Sequence, residues 1–223
     1  MKTGQTPSSY AARSHHMLHA PDGTIYKVLH IGCGPADKAA MPVGFHGAQW
    51  AETRCDIDPD VHPDIVADMT DISGIECGTF DAVYSSHNIE HLYAHQVPVA
   101  MNGFSRVLKD EGFLVITCPD VQALGEALAQ GHLTETLYES PAGPIAAIDI
   151  LWGHRGYMAR GNLFMAHRVG FTAQVLVNTL AACGFASVMC IRRSSVYDLW
   201  ALASKSERDD ASMQKLRTSY LPG

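Results

Sequence analysis

The sequence predicts an α/β protein built on a doubly wound, largely parallel sheet. Three observations carry that expectation. A compact apolar run, Tyr26-Lys27-Val28-Leu29-His30-Ile31, breaks at once into Gly32-Cys33-Gly34-Pro35, as a buried strand does when it enters a tight turn. A second strand-like run ends in acids, Thr53-Arg54-Cys55-Asp56-Ile57-Asp58, and Asp56 lies 22 residues after Gly34. A carboxylate about 20 residues beyond a glycine turn is where the end of a second strand meets a ribose hydroxyl. Further strand-like runs then alternate with helical periodicity, the pattern of such a sheet. Glycine turn and acid together describe a nucleoside-binding crevice.

The turn itself narrows the ligand. A dinucleotide fingerprint needs a third Gly for close helix–strand packing, and that position here is Asp37, after Pro35. An acid there repels a pyrophosphate but tolerates a sulfonium or an amino group. The hexamer Leu29-His30-Ile31-Gly32-Cys33-Gly34 resembles the first motif of the class I S-adenosylmethionine (SAM) methyltransferases of the type 11 kind. Two later runs extend the resemblance. Phe80-Asp81-Ala82-Val83-Tyr84-Ser85-Ser86 leads into His87-Asn88-Ile89-Glu90-His91-Leu92, and Arg106-Val107-Leu108-Lys109 precedes Glu111-Gly112 and a β-rich stretch. Across residues 25–120 by motif and 171–204 by pattern, the resemblance implies a Rossmann-like sheet of seven strands in the order 3-2-1-4-5-7-6. It implies SAM as cofactor and S-adenosylhomocysteine as product. The cofactor-binding positions it implies are Gly32, Cys33, Gly34, Asp56, Ile57, Asp68, Met69, Ser85 and His87.

Element by element, residues 35–49 hold Pro42, Gly44 and Gly47, so at most a turn near residues 36–41 fits between the first two strands. Pro59 and Pro63 leave no room for a crossover helix before the third strand, 64–68. These abbreviated connections depart from the family pattern. Residues 80–86 are the fourth strand. Val97, Met101, Phe104, Val107 and Leu108 mark an amphipathic helix closed by Gly112, and 112–120 is the fifth strand. Asp120 caps a helix over 121–130. From 132 to 170 periodicity disappears, while Trp152, His154, Arg155, Tyr157, His167 and Arg168 accumulate. A stretch this long and irregular in a compact domain is expected to be a functional cap. Thr172 caps a helix ended by Gly184, and two final strands, 186–192 and 197–204, form a hairpin. The domain organisation expected is an N-terminal arm (1–24, with His15, His16 and His19), one domain (25–204) with a cap insertion (132–170), and a polar C-terminal tail (205–223) holding a surface helix.

Composition excludes several classes. A net charge of −7 with no basic run beyond Arg192-Arg193 argues against general nucleic-acid binding. Six cysteines without a C-x-x-C pair read as reduced core thiols, hence a cytoplasmic setting rather than a disulfide framework. No stretch approaches the roughly 20 apolar residues of a membrane span, and residues 1–22 lack the apolar core of a secretory signal. Homodimerisation stays open.

Methyl transfer from SAM asks the protein to align a nucleophile in line with the methyl–sulfur bond and to exclude water. His87, His154 and His167 are the candidate general bases, since imidazole is available neutral near pH 7. The methyl acceptor is unidentified, and no Asn/Asp-Pro-Pro-Tyr/Phe motif is present. His87, His91 and His95 recur every four residues and are expected on one helix face. Without a carboxylate at a defined third position, no metal site is expected. Two rivals remain: a nicotinamide-dependent oxidoreductase, disfavoured by Asp37, and a degenerate fold that binds only a nucleoside or a partner. The cap is expected to form the acceptor pocket, with Trp152 and Tyr157 as walls and His154, Arg155, His167 and Arg168 as polar contacts.

Overall fold

The structure is a computed structural model and describes residues 23–223 apart from Pro141. The calls on residues 1–22, including the expected arm and its three histidines, lie outside the described residues.

Seven strands form one mixed sheet. They are β1 (Tyr26–Ile31), β2 (Trp50–Asp56), β3 (Ile65–Val66), β4 (Phe80–Ser86), β5 (Leu108–Pro119), β8 (Ser187–Arg193) and β9 (Asp198–Ser204), in the order β3-β2-β1-β4-β5-β9-β8. The first five pair in parallel, and β9 runs antiparallel to both β5 and β8. This is the expected doubly wound α/β order, with β6 and β7 set apart in the cap.

Period-two alternation divides the core. Leu29, Ile31, Val83, Leu114, Ile116, Leu199, Ala201 and Ala203 face α1 (Val97–Val107) and α5 (Ala173–Ala182). On the opposite face Val28, Ala82, Tyr84, Phe113, Val115 and Leu202 pack under Met41, Phe45, Trp50 and the C-terminal α6 (Asp210–Tyr220). The first two connections hold only short 3-10 turns, Lys38–Ala40, Val43–Phe45 and Pro59–Val61, as the prolines and glycines dictate. The surface helix expected in the polar C-terminal tail is present as α6, and one side of it is packed against the sheet. Met213, Leu216 and Tyr220 of α6 are buried, and the Tyr220 ring centroid lies 4.6 Å from Phe45 and 4.7 Å from Phe113.

The stretch expected to be irregular is ordered in short pieces. After α2 (Val121–Ala129) come the hairpin β6 (Thr136–Ser140) and β7 (Gly143–Ala146), then α3 (Ala147–Trp152), α4 (Arg155–Ala159) and a 3-10 turn, Leu163–Met165. Ile145, Ala147 and Ile150 pack on Leu124 of α2 in a small core of their own. Asp149 fixes the joint. Its carboxylate accepts the Ala146 amide at 3.1 Å and a forked pair from Arg155, Nε at 2.7 Å and Nη2 at 3.0 Å.

Candidate active site

A cleft of about 580 Å³ opens at the carboxyl ends of β1, β2 and β4, where the parallel order reverses and open α/β sheets bind ligands. Gly32 and Gly34 both adopt left-handed backbone, φ +64 and +52, which favours glycine at each. Their surroundings differ. A Cβ on Gly34 would meet open space, whereas one on Gly32 would lie 2.1 Å from the Asn88 Oδ1. Gly32 thus makes room for Asn88, whose amide nitrogen donates to the Ile31 and Ser86 carbonyls at 3.0 Å each and to the Ser85 hydroxyl at 3.2 Å. Asn88 ties β1 to β4 beneath the turn.

Asp56 closes the end of β2. One carboxylate oxygen accepts the Gly34 amide at 2.7 Å and the other the Asp58 amide at 3.0 Å, so acid and glycine turn form one unit. Arg54 holds that unit from behind. Its guanidinium donates to the carbonyls of Ala36 (3.0 Å), Gly34 (2.6 Å), Val61 (3.2 Å) and His62 (2.9 Å), stitching both shortened connections together. Asp68 carries its own Asx turn, accepting from the Thr70 amide and hydroxyl at 2.8 Å each.

At the end of β4, His87 sits in left-handed backbone, φ 53, a strained setting for a non-glycine residue. Its amide donates to the Thr117 carbonyl at 3.0 Å. Its half-exposed ring presents Nδ1 3.4 Å from the buried Glu90 carboxylate. Desolvation pulls the His87 pKa down, but the Glu90 charge outweighs it and the net shift is upward. Glu90 shows the mirror image: burial pushes its pKa up, and His87, His91 and His167 bring it below the usual value. Burial lowers the pKa of His167 against the pull of Glu90.

The cap closes the other side. Tyr157, Asn162, Phe164, Met165 and Arg168 line the cleft together with Ile57, Met69 and Tyr93. Arg168 lies over the Tyr93 ring at 4.9 Å and donates to the His91 carbonyl at 2.6 Å.

Residues 29–116 match the family model described as a methyltransferase domain. The matched segment runs from β1 into β5, and the seven-stranded sheet has the strand order of the class I methyltransferase fold. Solved structures of like fold include the citrinin polyketide synthase CMeT domain (TM-score 0.54, 14% identity), of which 85% of this chain covers 48%. A SAM-dependent methyltransferase from Methanosarcina mazei aligns with TM-score 0.53 and 16% identity over 82% of this chain and 94% of that one. Burkholderia thailandensis 1,6-didemethyltoxoflavin-N1-methyltransferase, solved with 1,6-didemethyltoxoflavin and S-adenosylhomocysteine, aligns with TM-score 0.51 and 14% identity over 83% and 73%. This chain spans about half the length of the polyketide synthase domain. A comparison with curated proteins finds no match. Identities this low speak to the fold alone.

Gly32, Gly34, Asp56, Ile57, Asp68, Met69 and His87 all contribute to the lining of the cleft. Cys33 and Ser85 do not. The Cys33 side chain is buried, and burial raises its thiol pKa. Ser85 is wholly buried under Asn88, and Ser86 takes its place at the surface of the cleft. Of the three candidate bases only His87 lines it. His154 caps α4 through the Tyr157 amide at 3.3 Å, and His167 faces inward with Nδ1 2.7 Å from the Ile150 carbonyl. Arg155 is the structural partner of Asp149, and Trp152 is exposed and away from the cleft. The expected histidine face also dissolves. Only Ile89–His91 is helical, as a 3-10 turn, and His95 stacks on Tyr93 at 5.8 Å. Sequence reasoning missed Asn88, Arg54 and Tyr93. Asn88 stood inside the second family run, but nothing local announced its partner in the glycine turn.

Among the described residues no helix is long and apolar enough to cross a membrane. All six cysteines are free.

Proposed function

We propose that this chain binds SAM in the cleft and transfers its methyl group to an acceptor held under the cap. The observation that carries the reading is Asp56. Each of its oxygens is engaged by one backbone amide, which orients the carboxylate and leaves lone pairs for the two ribose hydroxyls of a nucleoside. Gly34, with nothing near its missing Cβ, lets the methionine end pass close to the backbone. Ile57 and Met69 suit the faces of the adenine ring, and Asp68 its exocyclic amine.

The acceptor lone pair attacks the methyl carbon as the methyl–sulfur bond breaks, and the sulfur keeps the bonding pair, giving S-adenosylhomocysteine. A hydroxyl or ammonium acceptor must also lose a proton. His87 is the base in this reading, because it alone of the three candidate histidines borders the cleft, and Glu90 stabilises the imidazolium that forms. Tyr93, Tyr157, Phe164 and Arg168 favour a planar or apolar acceptor that also carries an anionic or carbonyl group.

Titration calorimetry tests the cofactor site. Asp56→Ala is expected to cost about 1.5–3 kcal/mol in SAM binding, the scale of hydrogen bonds to a charged group. Asp56→Asn, which retains one acceptor oxygen for the loop, is expected to lose less. Unchanged affinity in both variants, or tight binding of NAD in place of SAM, sinks the reading.

A further inference from the structure

Behind His87 the chain builds something that methyl transfer does not require. The turn Ile89–His91 points Glu90 into the protein, where the residue is 1% exposed and neither carboxylate oxygen has a hydrogen-bond partner, its nearest cation being the His87 ring at 3.4 Å. Buried carboxylates are ordinarily paired or bound to a cation. The cap returns to this point. The amides of Arg168 and Val169 donate to the Glu90 carbonyl at 2.8 and 3.3 Å, and this docking brings the His167 ring within 4.9 Å of His91.

The histidine tautomers follow from their partners. The His91 Nδ1 lies 3.2 Å from the Ala166 carbonyl, and the His167 Nδ1 lies 2.7 Å from the Ile150 carbonyl. A carbonyl only accepts, so each Nδ1 carries the proton and each neutral ring keeps its Nε2 lone pair. Anchoring one ring nitrogen on a backbone carbonyl while the other is left bare is how metal-binding histidines are oriented. Glu90, His91 and His167 each offer a ligand atom, and these atoms all lie within 4.8 Å of one another. Two imidazoles and a buried carboxylate thus lie within reach of a single ion.

We propose that Glu90, His91 and His167 bind one divalent transition-metal ion at the inner wall of the cleft. Two nitrogens and one carboxylate oxygen suit Zn²⁺, or Mn²⁺, Fe²⁺, Co²⁺ and Ni²⁺. They do not suit Mg²⁺ or Ca²⁺, which take oxygen ligands. Nothing local in the sequence points to this, because Glu90 and His91 come from a 3-10 turn and His167 from a cap loop 76 positions beyond His91. His91 and His87 both line the cleft, so an ion held by His91 would lie beside the space proposed for the acceptor. In that place the ion holds an oxygen of the acceptor beside His87, a role that rests on the methyl-transfer reading, whereas the metal site itself does not.

Full-length protein stripped with chelator is titrated with Co²⁺, followed by its visible absorption and by calorimetry, then challenged with Zn²⁺. One equivalent of Co²⁺ per chain, displaced by Zn²⁺, is expected. Glu90→Gln and His167→Asn are expected to weaken binding at least tenfold, the scale at which even supporting residues act. His95→Ala and replacement of His15, His16 and His19 are expected to leave it unchanged. No binding by the wild-type chain, or binding lost only with the N-terminal histidines, overturns the proposal. Should the variants not fold, anomalous scattering from Co²⁺-loaded wild-type crystals decides: an ion between Glu90, His91 and His167 supports the site, and an ion elsewhere refutes it. SAM calorimetry on the same stripped protein separates the two readings: a chain that binds SAM but takes up no Co²⁺ defeats only this proposal, and one that takes up Co²⁺ but binds no SAM defeats only the function.

Discussion

Replacing Arg54 by Ala tests how the shortened connections are held. In most sheets of this order a helix after β1 supports the glycine turn. Here one guanidinium does it through four carbonyls on two loops, Gly34 and Ala36 on one side and Val61 and His62 on the other. Arg54 is only half-buried, so its carbonyls regain water in the variant and each bond is worth the low end of the usual range, about 0.5–1 kcal/mol. Four bonds give about 2–4 kcal/mol of stability. Arg54→Lys is expected to recover less than half, because an ammonium cannot reproduce the planar fork. Urea unfolding of the three proteins at one pH reads the stability. Calorimetry reads the site: SAM affinity in Arg54→Ala is expected to fall about tenfold, or about 1.4 kcal/mol, because binding must then order the loop. If stability and affinity both stay within about 0.5 kcal/mol of wild type, the turn is held by Asn88 and Asp56 alone and the argument for Arg54 is wrong.

Two further predictions concern the cap. Gly153 has φ +100, and a Cβ there would lie 1.9 Å from the Met165 carbonyl oxygen where the two segments bridge. Gly153→Ala is expected to loosen residues 153–168, raising amide exchange there while β4 and β5 keep theirs; wild-type protection throughout would show that the tight crossing is dispensable. Asp149 has its pKa brought down to about 2: burial opposes this, but Arg155 and the amides of Ala146 and Arg155 outweigh it. A depressed carboxylate stabilises the fold above its unfolded pKa and loses that contribution as pH falls through the folded value. Asp149→Asn is therefore expected to cost about 2 kcal/mol near pH 7, with the gap to wild type closing between about pH 4 and pH 2. A gap that persists at pH 2 in chemical denaturation would mean that the amides' geometry, not the charge, holds the joint.

The parts of the site legible in the sequence are those whose causes are local. Gly34 and Asp56 follow from a strand, a turn and an offset, and both border the cleft. The short connections follow from Pro42, Pro59 and Pro63. Gly32 was legible as a glycine but not for its reason, since the atom it avoids belongs to Asn88, far along the chain. The cap resisted because α3 and α4 have six and five residues, too few turns for a helical period to show. His167 and Arg155 were read as substrate-facing because a histidine or arginine in irregular sequence looks free. The burial of Glu90 and Asp149, which claims them, is a tertiary fact.

The far face of the sheet explains why a domain without its first helices still presents a formed cleft. Removing a crossover helix bares apolar residues on β1, β4 and β5, and those residues must be covered from elsewhere. Phe45 and Trp50 supply part of the cover and α6 the rest. Met213, Leu216 and Tyr220 fall at helical spacing on one side of α6 and meet Phe45 and Phe113. The approach is close enough that a Cβ on Gly44 would lie 2.5 Å from the Ser219 carbonyl, so Gly44 admits the helix at the end of the chain. The amphipathic signal of α6 was present in the sequence but sat among Asp, Ser, Lys, Arg and Thr, so the segment averaged as polar. Besides Asp56 and Asn88, the glycine turn thus rests on Arg54, which fastens its backbone, and on α6, which packs the sheet beneath it.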